Sequence, residues 1–150
     1  MQFGHVGLSL FIASFDWRPS VILTVLITHF LPNFDVFAIK AGLAKDDFHC
    51  SITHTLLFAL IVSALLMPFS PHLALFALIS LVAHMLADLP SDIGQQIFWP
   101  VSKKKFTMAL WKDTGYWGKA TVVGSYEQPW PWILESAVVV LFLYRLTVIY

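Results

Sequence analysis

Cysteine is nearly missing from this 150-residue chain. Cys50 stands alone, which excludes an internal disulfide and any zinc or iron–sulfur site built on several thiolates. Charge is scarce too, at 12% of residues, and nine basic side chains cancel nine acidic ones. No net field therefore draws the protein to nucleic acid or to an acidic partner. The opening residues, MQFGHVGLSLF, carry neither a basic stretch nor a small-residue cleavage site, and read as part of the mature fold rather than as a removable signal. No internal repeat or low-complexity tract interrupts residues 1–150, so the chain reads as one domain. What it does have is apolar surface. With 58% apolar residues and a mean hydropathy of +0.75, it is too oily for a soluble domain of this size, and the membrane class is the starting point.

Two apolar runs, residues 51–67 (SITHTLLFALIVSALLM) and 72–88 (HLALFALISLVAHMLAD), predict transmembrane helices. Only Pro68-Phe69-Ser70-Pro71 separates them, so they must form an antiparallel hairpin. A third span is expected over residues 132–150, with Glu135 near its start and Arg145 near its end reaching for the interface. Residues 3–15 and 21–31 are apolar but shorter, and Asp16-Trp17-Arg18-Pro19-Ser20 between them carries capping and helix-breaking chemistry. They predict a second hairpin of short spans. The expected fold class is all-α, a polytopic membrane bundle of about five antiparallel helices. Residues 89–128, polar and rich in lysine and tryptophan, read as an interfacial loop. Lys40, Lys45 and the Lys103-Lys104-Lys105 run fall at one end of this bundle, which predicts a cytoplasmic face there.

The polar residues converge on that same end. His5 opens the first helix, Asp35 follows the second, His49 and His54 open the third, and His84 and Asp88 close the fourth. Only His72 falls at the other end. His84 and Asp88 are one helical turn apart on one face, the geometry of paired metal ligands. His49 and His54 suit a pair if the helix begins between them, which the polar run Asp46-Asp47-Phe48-His49-Cys50-Ser51 permits. Imidazoles and carboxylates at the edge of hydrocarbon must be paired, hydrated or metal-bound. This donor set suits zinc first, then manganese or iron, and more than four ligands would allow two ions. Taken singly, His5 and His29 are as readily interfacial polar residues as ligands. Asp35 has capping a turn as its other role. Asp92, followed by Gly94, reads mainly as a turn residue, and as a spare carboxylate that could relay a proton in catalysis. Glu135 reads as a first-turn carboxylate favoured by the helix dipole, and Cys50 as a partly buried free thiol.

Three motifs resemble those of the YdjM-like inner-membrane metal-dependent hydrolases. Phe30-Leu31-Pro32-Asn33-Phe34-Asp35 is similar to that family's L-P-D-x-D, His49-Cys50-Ser51-Ile52-Thr53-His54-Thr55-Leu56-Leu57 to H-R-x-x-T-H-S-L-L, and His84-Met85-Leu86-Ala87-Asp88 to H-x-x-x-D. The third continues through Ser91, Gly94 and Phe98-Trp99-Pro100, and Gly4-His5 is similar to the Gly-His near many family N-termini. The resemblance implies a helical inner-membrane protein of bacterial or archaeal type with a divalent-metal site, distantly similar to zinc-dependent phospholipase C. Asn33 stands where the family usually has its first Asp, Val36 where a His often follows, and Cys50 where an Arg is usual. Those departures imply a weaker or missing second ion and the loss of a phosphate fork.

The function expected is a membrane-bound hydrolase acting at the cytoplasmic interface on a phosphoester of a lipid or lipid-linked molecule, with membrane lipids as its surroundings. The alternative is a noncatalytic membrane protein with a structural metal or a partner docked on the 89–128 loop. A transporter ranks below both, because residues 56–83 offer no ionisable group but His72 along a path through the membrane.

Overall fold

The structure, a computed structural model, describes residues 2–45, 48–112 and 119–149. Asp46 and Asp47 of the polar run, Trp117 of the 89–128 loop and Tyr150 at the end of the third expected span lie outside the described residues. The fold is all-helical, as predicted. Its elements are α1 (Gln2–Ala13), α2 (Pro19–Phe30), α3 (Asp35–Lys40), α4 (Leu56–Leu66), α5 (Pro71–Asp88), α6 (Lys119–Tyr126) and α7 (Pro129–Ile149).

Local chemistry sets the helix starts. Pro19 opens α2 behind an extended Arg18, where its missing N–H would have had no partner in any case. At α4 the Thr55 hydroxyl accepts from the Phe58 N–H at 3.0 Å, and at α5 the Ser70 hydroxyl accepts from the Leu73 N–H at 3.2 Å, with Pro71 next in line.

Two of the predicted boundaries move. The second helix ends at Phe30, next to the expected Leu31, but the span does not: Leu31–Phe34 makes one 3-10 turn that absorbs Pro32, and the chain runs on into α3. Among the described residues, Pro19–Lys40 is therefore one of three helical stretches long and apolar enough to cross a membrane, with Pro71–Asp88 and Pro129–Ile149. The run 51–67, read as a full span, yields only the 11 residues of α4, because Ile52–His54 forms a separate 3-10 turn and Thr55 caps the helix behind it. At 1.5 Å per residue α4 is about 16 Å long and its 18-residue partner α5 about 27 Å. They share the turn at Pro68–Ser70, so the whole difference falls at the other end.

α5 is the hub. It packs on α2, α4 and α1, while α7 packs along α1. Ile12, Ala13, Val21, Val25 and Phe76 form the core between α1, α2 and α5, and Ala59, Leu81 and Met85 the core between α4 and α5. Outside these seams the helices expose apolar side chains, among them Leu60, Ile61 and Leu65 on α4 and Val140, Leu141, Leu143 and Val148 on α7. Such surface is stable against lipid rather than water.

The predicted interfacial loop is more ordered than a loop. Between α5 and α6 it folds back on itself through isolated β-bridges, Ser91 with Trp111 and Gln95 with Phe106. Gly94 turns there at φ +71°, with room for no side chain against Lys105. The buried Gln95 donates to the Met85 carbonyl at 2.8 Å, and the Leu56 N–H donates to the Ile97 carbonyl at 2.9 Å, so this segment is pinned to the ends of α5 and α4. Lys103, Lys104 and Lys105 stay exposed. At the opposite end, the Arg18 guanidinium holds the Asp16 carboxyl well below the usual carboxylate range, and His72 lies 2.8 Å from Asp16.

Candidate metal centre

Five of the six histidines and two aspartates gather where α1, α2, α3 and α5 meet the segment before α4. His29, His54 and His84 are 0% exposed, and His5 3%. His72 lies at the far end, as predicted. The structure brings together all six predicted ligands, His5, Asp35, His49, His54, His84 and Asp88, and adds His29. Asp92 sits in the turn after α5, outside this gathering. Cys50 is buried and in no disulfide, grouped with His49 and His54. Its φ of 59° is left-handed backbone, which turns the chain directly after His49. The helix does not begin between His49 and His54 but after both, and the 3-10 turn Ile52–His54 points His54 at α5.

Three ring orientations are fixed by Asp35, Thr53 and the Ser80 carbonyl. The Thr53 hydroxyl donates to Asp35 Oδ2 at 2.9 Å, so its oxygen is left to accept from His54 Nδ1 at 3.0 Å. His49 Nδ1 donates to Asp35 Oδ1 at 2.8 Å. His29 Nδ1 lies 3.2 Å from the Ser80 carbonyl, which can only accept. In His54 and His29 the proton is therefore on Nδ1 and the Nε2 lone pair faces inward, as supporting partners arrange metal-binding imidazoles. Burial also pushes the pKa of His54 down from the ordinary imidazole value, outweighing the upward pull of Asp88, so the ring is a neutral donor.

The innermost atoms form a triangle. His54 Nε2 and His84 Nε2 are 3.3 Å apart, and Asp88 Oδ2 lies 3.2 Å from His84 Nε2 and 3.6 Å from His54 Nε2. Donors at about 2.0–2.1 Å from a tetrahedral zinc lie about 3.3–3.4 Å apart, so these three edges fit one face of such a site. Without a cation, the His54 lone pair would face a carboxylate oxygen and a second imidazole nitrogen. The donor set and its spacing fit a divalent ion. Of the three, only Asp88 has a partly exposed side chain, at 19%.

Two recesses flank the segment that carries His49 and His54. One, about 510 Å³, is lined by Lys45, Phe48, Ser51, Gln96 and Trp99 among others. The other, about 410 Å³, is almost wholly apolar and runs along Leu56, Leu57, Leu60, Phe98 and Val101. Trp99 belongs to both.

Sequence reasoning left His29 undecided and missed the roles of Thr53 and Ser80. His29 has no spacing partner on α2. Its only signal was lying at the same end of the bundle as His5. Glu135, read as a dipole-favoured carboxylate, is buried and accepts from the Tyr126 hydroxyl at 2.7 Å, while that oxygen accepts from the Phe3 N–H at 3.2 Å. This ties the start of α7 to the start of α1, beside His5. Among known protein families, the YdjM inner membrane protein family matches the chain over residues 3–150. No curated protein and no solved structure matches it.

Proposed function

We propose that this chain, which belongs to the YdjM inner membrane protein family, is a metal-dependent hydrolase that cleaves a phosphoester in a lipid or lipid-linked substrate at the cytoplasmic interface. The observation that carries the reading is the triangle of His54, His84 and Asp88, with edges of 3.2–3.6 Å and the Asp88 side chain partly exposed. Zinc suits these donors first, with manganese or iron next. A bound divalent ion supplies Lewis acidity toward a phosphoryl oxygen and brings the pKa of water to about 7.

The chain's own residues do the rest. Asp35 holds the His49 ring directly and, through Thr53, keeps His54 in the neutral, inward-facing tautomer. The recess beside them, mostly apolar, carries Lys45 and Ser51 on its lining for a phosphate, and the apolar recess across Trp99 offers Leu56 and Leu60 to an acyl chain. A lysine and a hydroxyl set beside oily surface favour an amphiphile over a soluble metabolite. Asp92, outside the gathering, has no proton to move in this reading. The cytoplasmic assignment rests on Lys40, Lys45 and the Lys103–Lys105 run around this end.

A second reading, a noncatalytic protein whose metal ties helix ends together, is favoured by the complete burial of His54 and His84. One experiment separates them: metal content and phosphodiesterase activity toward phospholipid analogues, measured on detergent-purified protein. The hydrolase reading expects metal and turnover in wild type and in His72→Ala, and neither in His54→Ala or His84→Ala. Metal without turnover on any phospholipid supports the structural reading. A wild type free of metal after chelator-free purification ends both.

A further inference from the structure

We infer that His5 and His29 hold a second divalent transition-metal ion, beside the one assigned to His54, His84 and Asp88, so that the centre is binuclear and His29 is a ligand. The inference rests on the metal-centre reading above and deepens it. It comes from proton accounting. His29 Nδ1 faces the Ser80 carbonyl at 3.2 Å, which has no proton to give, and the Ser80 hydroxyl, 3.4 Å away, donates its own proton to the Val25 carbonyl at 2.9 Å, so Nδ1 carries the hydrogen and Nε2 is a bare lone pair. His5 Nε2 faces Asp88 Oδ1 at 2.8 Å, and a carboxylate accepts, so His5 Nε2 carries the hydrogen and Nδ1 is bare.

Those two bare nitrogens, His5 Nδ1 and His29 Nε2, point at each other across 3.1 Å. Neutral imidazoles cannot make a hydrogen bond there, since neither has a proton to place between them. Both rings are buried, His29 completely. The contact is satisfied by a positive charge between the lone pairs. Two nitrogens about 2.05 Å from a common ion and 3.1 Å apart subtend about 100°, inside the range of tetrahedral and distorted coordination.

His84 lies beside this pair, and its ring would join both ions only as an imidazolate, its N–H proton released to solvent on metal binding. His5, His29 and His84 each offer a ligand atom within 4.8 Å of the others, and the Nδ1 of His84 is buried with no hydrogen-bond partner. Asp88 then lies between the two positions, with Oδ1 on His5 and Oδ2 on His84 and His54. Paired ions suit phosphoester cleavage because they can stabilise both the attacking and the leaving oxygen. Asn33 and Val36, which departed from the family pattern, lie outside this donor set.

The competing possibility is a proton in place of the metal, an imidazolium of His5 paired with Asp88. Wild type, His29→Ala and the distant His72→Ala are purified without chelator, reconstituted with manganese and measured for metal content and electron paramagnetic resonance. The proposal expects about two equivalents per chain and a spin-coupled manganese pair in wild type and His72→Ala, and about one uncoupled equivalent in His29→Ala. The wild-type spectrum alone decides the matter if His29→Ala does not fold. One equivalent with an uncoupled spectrum in wild type overturns the second site and leaves the hydrolase reading standing, whereas no bound metal at all removes both. Two equivalents retained in His29→Ala overturn the role of His29.

Discussion

Thr53→Val tests whether the partners behind the histidines set the strength of the metal centre. Valine is close to threonine in shape, so packing is kept and only the hydroxyl is lost. That hydroxyl gives its proton to Asp35 Oδ2 at 2.9 Å and receives one from His54 Nδ1 at 3.0 Å. Without it the His54 N–H, in a fully buried ring, has only Asp35 Oδ2 at 3.7 Å to turn to. A buried donor left without a partner costs about 1–3 kcal/mol. The same loss frees the ring to rotate, and removal of such an outer partner lowers metal affinity by about 10–100-fold, which is about 1.4–2.8 kcal/mol of binding. Competition of purified protein against a chromophoric zinc chelator reads this directly, with Thr53→Ser expected to restore wild-type affinity. Undiminished affinity in a folded Thr53→Val would refute the argument that Asp35 acts on His54 through Thr53.

His54→Ala and His84→Ala are each expected to lose the ion assigned to His54, His84 and Asp88, and activity with it, while His72→Ala, whose ring meets Asp16 at the far end, changes neither; elemental analysis and turnover check this. Metal-free protein is expected to lose thermal stability as pH falls below about 6.5, because His54 is neutral in the fold but gains a proton when unfolded. The unfolded chain then binds more protons than the folded one, and a melting temperature that stays flat or rises toward acid would contradict this. Gly7→Leu is expected to cost about 1–3 kcal/mol or more through overpacking, since a Cβ at Gly7 already meets Val138 at 3.2 Å across the α1–α7 seam; thermal unfolding in detergent measures it. Tyr126→Phe is expected to weaken the same seam by leaving buried Glu135 without its donor, a loss of about 1–3 kcal/mol on the same assay.

The sequence made much of this centre legible because convergence needs only the order of helices and the end at which each polar residue falls. His84 and Asp88 announced themselves by spacing, and His5, Asp35, His49 and His54 by sharing their end of the bundle. His29 was ambiguous for a physical reason: it is a single histidine in an apolar helix, and its partner His5 is 24 residues away. The helix boundaries failed for related reasons. Pro32 reads as a breaker, yet one 3-10 turn gives proline a place where no N–H is required, so the span continues. In residues 51–67 hydropathy hid the cap at Thr55, and the apolar run looked longer than its helix. The fold of the loop between α5 and α6 was not legible, because its order comes from long-range contacts such as Gln95 with the end of α5.

The shortness of α4 bears on the membrane itself. Against a hydrocarbon core about 30 Å thick, a helix about 16 Å long is mismatched. α4 and α5 start level at Pro68–Ser70, so the deficit is a notch on the side of the histidines. Irregular backbone at that depth survives because the loop from Gln96 to Ile97 takes up the Cys50 carbonyl and the Leu56 N–H. A bilayer meeting such a notch thins, and its headgroups sink toward the protein. On the proposed function, such thinning would bring lipid phosphates toward the level of His84, about a helical turn below the end of α5, so that the membrane would move to the site and the lipid need not leave it.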